Sequence, residues 1–288
     1  MVRGVIPRQP AKSGRHEGRA TAVRGAQSRG ASRQPRNAAR KATLSFPTPT
    51  AKAAGKAVAA PKGYQPTSPQ RIGEILKRLD QTYPGATCAL HHSNAWELLV
   101  ATILSAQCTD VRVNMTTPEL FRKYPTPQAF AALKPEQLEP DIRSTGFFRN
   151  KSKSLVGAAK KLVADFGGQV PDEMDKLLSL PGVARKTANV VLGTWFGKAE
   201  GVVVDTHVYR ISRRLELTTN TDVQKIEQDL MRVIAREKWI IFSHQIIWHG
   251  RKLCIARRPK CAECPLENLC HAADKTWSTV EIHKAAKP

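Results

Sequence analysis

The chain has 288 residues and carries 46 Lys and Arg against 24 Asp and Glu, a formal net charge of +22. That length supports one or two domains with a proper core, and that charge points to a polyanionic partner. No apolar run of about 18 residues argues for a membrane span, and no apolar segment of roughly 7–15 residues follows the start, which argues against an ordinary secretory signal.

Residues 1–67 hold 14 of the Lys and Arg and one acid, Glu17, so +13 of the charge lies there and the remainder is still basic. This stretch is rich in Ala, Gly, Ser, Arg and Pro and has few large apolar residues. It cannot bury enough surface to offset ordering entropy, and is expected to be a disordered basic tail. It suits a tether to a polyanion, and its acid-poor, Arg-rich composition also suits an organellar leader. The location adopted is cytoplasmic, of bacterial nucleoid-associated type, with an organelle reached through a cleaved leader as the alternative.

From Ser68 onward the chain reads as helices with short connectors. Ser68-Pro69 marks a helix start, followed by the apolar stripe Ile72, Ile75, Leu76 and Leu79. Asn94 and Glu97 resemble a capping box, opening a nearly all-apolar helix through Trp96, Leu98, Leu99, Val100, Ile103 and Leu104 that must be buried. Further helices are expected at 118–124, 127–133, 151–166, 173–179, 206–215, 222–234 and 239–248, and the β-branched run Gly201–Val204 is the one short strand signal. The fold class is all-α.

Leu180-Pro181-Gly182-Val183-Ala184-Arg185-Lys186-Thr187 reads as two helices joined by a very tight hairpin. Such a hairpin turns backbone N–H groups and a helix N-terminus outward, which suits a phosphate. The second helix has the apolar stripe Ala188, Val191, Leu192 and Trp195, and Lys186 lies off it, a nucleophile candidate beside the bound phosphate. By residue type alone Lys186 is equally a solvated lysine. Asp205, nineteen residues later, is equally the N-cap of the helix after it.

Cys254, Cys261, Cys264 and Cys270 are spaced C-x6-C-x2-C-x5-C. Six cysteines without a secretion signal argue for a reduced compartment, where clustered thiols are ligands rather than disulfides. One C-x2-C pair in so compact a loop suits an iron–sulfur cube, with zinc as the alternative. Cys88 and Cys108 read as small buried hydrophobes. Arg257, Arg258 and Lys260, between two of the four thiols, form a pinned basic turn suited to a phosphate backbone.

Together the hairpin, the Lys186–Asp205 spacing and the cysteine quartet closely resemble the endonuclease III family of helix-hairpin-helix DNA glycosylases. The resemblance covers roughly Ser68 to Lys275. It implies a six-helix barrel with the helix-hairpin-helix over 89–198, and an iron–sulfur cluster domain made of 68–88 and 199–275. The ends would be tails, 1–67 and 276–288. It implies a [4Fe-4S] cluster on Cys254, Cys261, Cys264 and Cys270. It also implies a monomeric DNA N-glycosylase and abasic-site lyase of base excision repair, acting on double-stranded DNA with oxidised pyrimidines or abasic sites.

In that reading Lys186 attacks the deoxyribose and Asp205 assists. Gln107 fills the gap left by the extruded nucleotide, Phe147 wedges into the opposite strand, and Gly182, Ala184 and Arg185 face the phosphate. Gln107 is otherwise a helix-end amide, and Phe147 or Phe148 is otherwise a core residue. A free lysine is only about 0.1% neutral near neutral pH, so desolvation and cations such as Arg185 are expected to favour the neutral amine. Ala184 stands where the family usually has a second glycine, and would be strained if a left-handed conformation were needed there. Two other assignments stay open: an adenine-mismatch glycosylase, and a non-catalytic iron–sulfur DNA-binding protein.

Overall fold

In the computed structural model, which describes residues 64–277, every regular element is helical. Helix α1, Pro69–Thr82, starts at the expected proline and buries Ile72, Ile75 and Leu79. The Ser68 side chain makes no capping bond, so the preset φ of Pro69 carries that start. Helix α2, Ala95–Leu104, is capped by Asn94 Oδ1, which accepts from Glu97 N at 2.9 Å. Glu97 Oε2 in turn accepts from Ser93 N at 2.7 Å, one residue before the cap, so the reciprocal bond is displaced from the simple capping box. Eight of the ten residues of α2 are buried, as an all-apolar helix requires. Its neighbours are α3 (Asp110–Lys123), α6 (Phe148–Phe166) and α8 (Arg185–Thr194).

Two elements depart from the sequence reading. Helix α3 begins at Asp110, not at Pro118, because Thr109 Oγ1 accepts from Arg112 N at 3.3 Å and starts the helix there. Pro118 lies inside α3 at a cost of about 3 kcal/mol relative to alanine, against which Val113, Thr117 and Leu120 are buried. After the short helix α4, Pro127–Ala131, comes α5, Pro135–Ile142, which the pattern did not reveal because it contains Pro140 and three acids in eight residues.

The buried residues fall into two apolar clusters. One is drawn from Leu90 through Leu192 and centres on α2, α6 and α8 with α7, Met174–Leu178. The other combines α1 with α9 (Thr206–Arg214), α10 (Val223–Val233) and α11 (Trp239–Lys252), together with Leu266 near the cysteines. The clusters meet where α8 approaches α11: a Cβ on Gly193 would lie 3.2 Å from Ile240 Cγ1. Ion pairs Arg185–Glu227 (2.9 Å) and Arg251–Asp110 (2.5 Å) cross the same boundary.

Gly201–Val204 forms no strand; it is a buried connector in which Val203 N donates to Ser243 Oγ at 3.1 Å. The expectation of disorder for residues 1–63, and of a tail over 278–288, lies outside the described residues. The described ends of both segments are packed, however. Tyr64 OH donates to Glu216 Oε2 at 2.6 Å, and Thr276 Oγ1 donates to Pro259 O at 2.5 Å, so the ordered chain starts before Ser68 and extends past Lys275.

Candidate active site and metal centre

Helices α7 and α8 are joined by the six residues Ser179–Ala184, closed by Leu180 N→Leu177 O (3.1 Å) and Val183 N→Leu180 O (3.2 Å). Gly182 has φ +79°, and a Cβ there would lie 2.5 Å from Ser154 Cβ on α6. Both the backbone reversal and the close approach therefore demand glycine. Ala184 has φ −98° and ψ 168°, an extended conformation open to any residue, so the missing second glycine costs no strain. No side chain caps the N-terminus of α8. The first N–H groups of α8, from Arg185 onward, are thus available to an anion.

Lys186, in the first turn of α8, is exposed and has no hydrogen bond or ion pair among the described residues. Arg185 behaves differently from the expectation of a bare cation beside it. Its Nε donates to Glu227 Oε2 at 2.9 Å, and Asn189 Nδ2 donates to Glu227 Oε1 at 2.9 Å. Glu227, buried on α10, balances the Arg185 charge, and Arg185 Nη2 also donates to Glu200 O at 3.3 Å. The expected apolar stripe of α8 holds for Ala188, Val191 and Leu192, but Trp195 is 43% exposed. The helix ends at Thr194, and the indole meets His92 edge-on at 6.0 Å.

Asp205 is the N-cap of α9: its Oδ1 accepts from His207 N and from Val208 N, both at 2.8 Å. Its other oxygen, Oδ2, takes no hydrogen bond among the described residues. Capping and a chemical role are therefore compatible, since the cap fixes the carboxylate through one oxygen and leaves the second available.

Among the described residues four non-glycine residues have positive φ, and three of them are Gln107 (53°), Phe147 (48°) and Arg258 (56°). Each such residue costs roughly 1–3 kcal/mol unless its surroundings hold it there, and such residues concentrate where a protein meets a ligand. Gln107 and Arg258 are exposed, and Phe147 is 61% exposed. Phe148, not Phe147, packs on the core. Arg257 and Lys260 are exposed on the same turn as Arg258, while Pro259 is buried.

Cys254, Cys261, Cys264 and Cys270 all line one cavity, with Leu253, Pro259, Glu267 and Ala272. Among the described residues no three His, Cys, Asp or Glu side chains converge as a single ion requires. Zinc and an iron–sulfur cube both take four thiolates, and the compact spacing with all four cysteines on one cavity suits the cube. Arg214 Nη1 donates to Cys254 Sγ at 3.2 Å, an N–H···S bond of the kind that supports a thiolate ligand. Burial pushes the Cys264 thiol up to about 12 and the Cys270 thiol to about 11. Thiolates form at those positions only against bound positive charge. Cys88 and Cys108 are half-buried against the other core, away from this loop.

The sequence reading missed the groups that hold these parts in place: Ser154 under Gly182, Glu227 against Arg185, and Arg210 and Arg214 reaching from α9 to the cysteine loop. Arg210 Nη2 donates to Cys254 O at 2.8 Å, and Arg214 Nη1 to Ile255 O at 2.9 Å. The i,i+4 spacing of the two arginines was visible, but nothing in the sequence named their acceptors.

Residues 100–236 match the family described as HhH-GPD superfamily base excision DNA repair protein, and residues 254–270 match the iron–sulfur binding domain of endonuclease III. The chain is 56% identical over 204 residues to endonuclease III of Synechocystis sp., covering 71% of this chain and 93% of that one. To endonuclease III of Bacillus subtilis it is 46% identical over 207 residues, covering 72% and 94%. A solved structure of a trapped endonuclease III–DNA covalent intermediate superposes with a TM-score of 0.69 at 43% identity, covering 72% of this chain and 97% of that one.

Two outcomes follow from this geometry. Gly182→Ala should lower the stability of the fold, through a left-handed penalty of about 1–2 kcal/mol plus the Ser154 clash, and weaken duplex binding by displacing the hairpin N–H groups. Gly182→Ala with Ser154→Gly should recover part of that loss in a fluorescence-anisotropy titration. Replacing any one of Cys254, Cys261, Cys264 or Cys270 by Ser should lower iron and acid-labile sulfide in the purified protein, while Cys88→Ser and Cys108→Ser leave both unchanged. Stoichiometric zinc after anaerobic purification would refute the cluster.

Proposed function

The chain belongs to the endonuclease III family, and from that premise we propose how its own residues perform the family's chemistry. It is a bifunctional DNA glycosylase and abasic-site lyase of base excision repair, and it carries a [4Fe-4S] cluster. Its partner is DNA. The observation that carries the residue assignment is the state of Lys186 and Asp205: an unpaired amine at the open end of α8, and a carboxylate fixed by one oxygen with the other unengaged.

A base stacked in a duplex is out of reach, so the damaged nucleotide is extruded at a cost of a few kcal/mol, least where pairing is already weak. Gln107 fills the vacated position and Phe147 wedges the opposite strand, both projecting from tight turns. The backbone N–H groups of Gly182, Ala184 and Arg185 take the phosphate, and Arg257, Arg258 and Lys260 take the backbone further along.

The neutral Lys186 amine attacks the sugar C1′ as the C1′–N bond to the base breaks. Asp205 stabilises positive charge developing on the sugar and accepts a proton from the attacking amine. The departing base carries away the electron pair of the broken bond and takes up a proton. The C1′–O4′ bond then opens, O4′ taking the electron pair and a proton, and the resulting iminium between Lys186 Nζ and C1′ acidifies the C2′ proton. Its removal expels the 3′ phosphate by β-elimination, and water then releases Lys186 from the cleaved sugar. Cys254, Cys261, Cys264 and Cys270 would hold the cluster, whose metal–thiolate bonds would brace the loop carrying the basic turn.

The substrates are oxidised pyrimidines and abasic sites in double-stranded DNA, acted on by a monomer in the bacterial cytoplasm. Residues 68–88 and 199–275 make the cluster domain and 89–198 the helix-hairpin-helix domain, in keeping with the two separate apolar clusters. The basic N-terminal segment serves as an electrostatic arm on the phosphates.

Sodium borohydride should trap the protein on abasic and oxidised-pyrimidine duplexes, and Lys186→Gln should abolish trapping while DNA binding persists. Trapping that survives and maps to another lysine would remove the assignment. Asp205→Asn should slow base release more than cleavage of a preformed abasic site, since the latter involves no departing base.

Deleting residues 1–63 removes 14 cations, and should flatten the slope of log affinity against log salt by about 0.9 for each phosphate that is no longer neutralised. Lesion preference should not change, because cations on the phosphates carry no base information. An unchanged salt slope would rule out the arm.

A further inference from the structure

Lys151 is the one lysine of the α6 first turn, and the chemistry above does not use it. It is 5% exposed, and its Nζ donates to Leu104 O at 2.8 Å and to Thr145 O at 2.7 Å. A buried ammonium is costly unless it is hydrogen-bonded, so these two carbonyls are what make it tolerable. Their identity is informative. Leu104 is the last residue of α2, and its carbonyl is one of those a helix leaves without an internal partner. Three residues further on stands Gln107, at φ 53°. Thr145 closes the 3-10 turn Arg143–Thr145, and two residues further on stands Phe147, at φ 48°. One cation thus ties together the bases of two of the turns that carry exposed side chains in left-handed conformation.

Other contacts make the pairing specific to this amine. Thr116 Oγ1 and Ser144 Oγ lie 3.0 Å apart, but both are exposed and neutral. Lys151 N and Asn150 N both bond Phe147 O at 3.1 Å, so the backbone of Lys151 fixes the Phe147 turn from the helix side while its side chain crosses to α2. Of the charged side chains, only Lys151 donates a hydrogen bond to a backbone carbonyl at the base of either turn among the described residues.

We propose that Lys151 is a positioning residue for nucleotide extrusion: its buried ammonium locks the Gln107 turn to the Phe147 turn, so that the two side chains enter the duplex as one rigid wedge. It touches neither the sugar nor the base. A rigid pair carries its ordering cost before DNA arrives, and the extruded state is favoured accordingly. This inference rests on the assignment of Gln107 and Phe147 to the duplex gap.

The test compares two substrates under single-turnover conditions with the holoenzyme: an oxidised pyrimidine in a duplex, and an abasic site in a single strand, where there is nothing to wedge. Lys151→Met should lose on the order of tenfold or more on the duplex, as misplaced groups do, and remain within about twofold on the single strand. Lys151→Arg, which keeps the charge and the donors, should recover most of the duplex rate. A fluorescent base analogue placed beside the lesion should report slower or less complete extrusion for Lys151→Met.

Iron content and thermal midpoint identify the folded fraction. If Lys151→Met does not fold, Lys151→Gln is read in the same split. Equal losses on both substrates, or no loss on either, would overturn the inference and leave Lys151 a packing residue. Gln107→Ala and Phe147→Ala are run alongside. If neither affects the duplex reaction, the wedge assignment itself fails; if both do and Lys151→Met does not, only the positioning role fails.

Discussion

Helix α9 joins the carboxylate and the cluster end to end. Its first N–H groups are bonded to Asp205 Oδ1, and from its last turn Arg214 bonds Cys254 Sγ, Ile255 O and Ala256 O. One turn earlier Arg210 reaches Gly250 O and Cys254 O. The segment beyond α11 has little core of its own: its regular elements are the 3-10 turns Cys261–Glu263 and Glu267–Leu269, and its buried apolar side chains are few, Leu266 and Ala272 among them. Such a segment cannot hold a shape by apolar burial, and cross-links must supply what the core does not. Ligation by Cys254, Cys261, Cys264 and Cys270 would fix the loop that gives Arg210 and Arg214 their acceptors, and the arginines hold the helix that starts at Asp205.

The other half of the site is held by a half-buried ion pair, not by metal. Glu227 accepts from Arg185 and Asn189 of α8, and a Cβ on Gly201 would collide with its carboxylate. Such a pair contributes modestly to stability, because desolvation offsets much of its attraction; breaking one partner is the costly event. What it secures is orientation. With the Arg185 side chain turned toward α10, the mouth of the hairpin is left to backbone N–H groups and to Lys186.

The features legible in the sequence were those set by local rules. Gly182 announced itself because Pro181-Gly182 between two helical runs marks a tight reversal, and the cysteine spacing because a compact set of thiols has few uses in a reduced compartment. The all-apolar α2 was legible from periodicity. What escaped depends on contacts distant in sequence. Helix α5 hides behind Pro140, Arg185 looked like a free cation until Glu227, 42 residues away, was placed beside it, and Trp195 looked buried because the stripe was extended past the end of α8. Asp205 shows that two readings need not compete: its capping bonds are what aim its second oxygen.

Gln107, Phe147 and Arg258 express a constraint that glycine cannot meet. A chain that must reverse sharply at an exposed point does so most cheaply with glycine, as Gly146, Gly167 and Gly182 do here. Where the point of the reversal must also present an amide, a ring or a guanidinium, the side chain has to be kept and the left-handed penalty accepted. The strain is sustainable only if the flanking backbone is fixed by something stronger. Around Gln107 and Phe147 that is the Lys151 ammonium with the ends of α2 and α6; around Arg258 it is Lys260 N bonded to Leu253 O at 2.9 Å and the Thr276 hydroxyl on Pro259 O. At each turn the exposed, strained residue is therefore backed by hydrogen-bonded backbone, the rigidity that the proposed roles in entering or gripping a duplex would require.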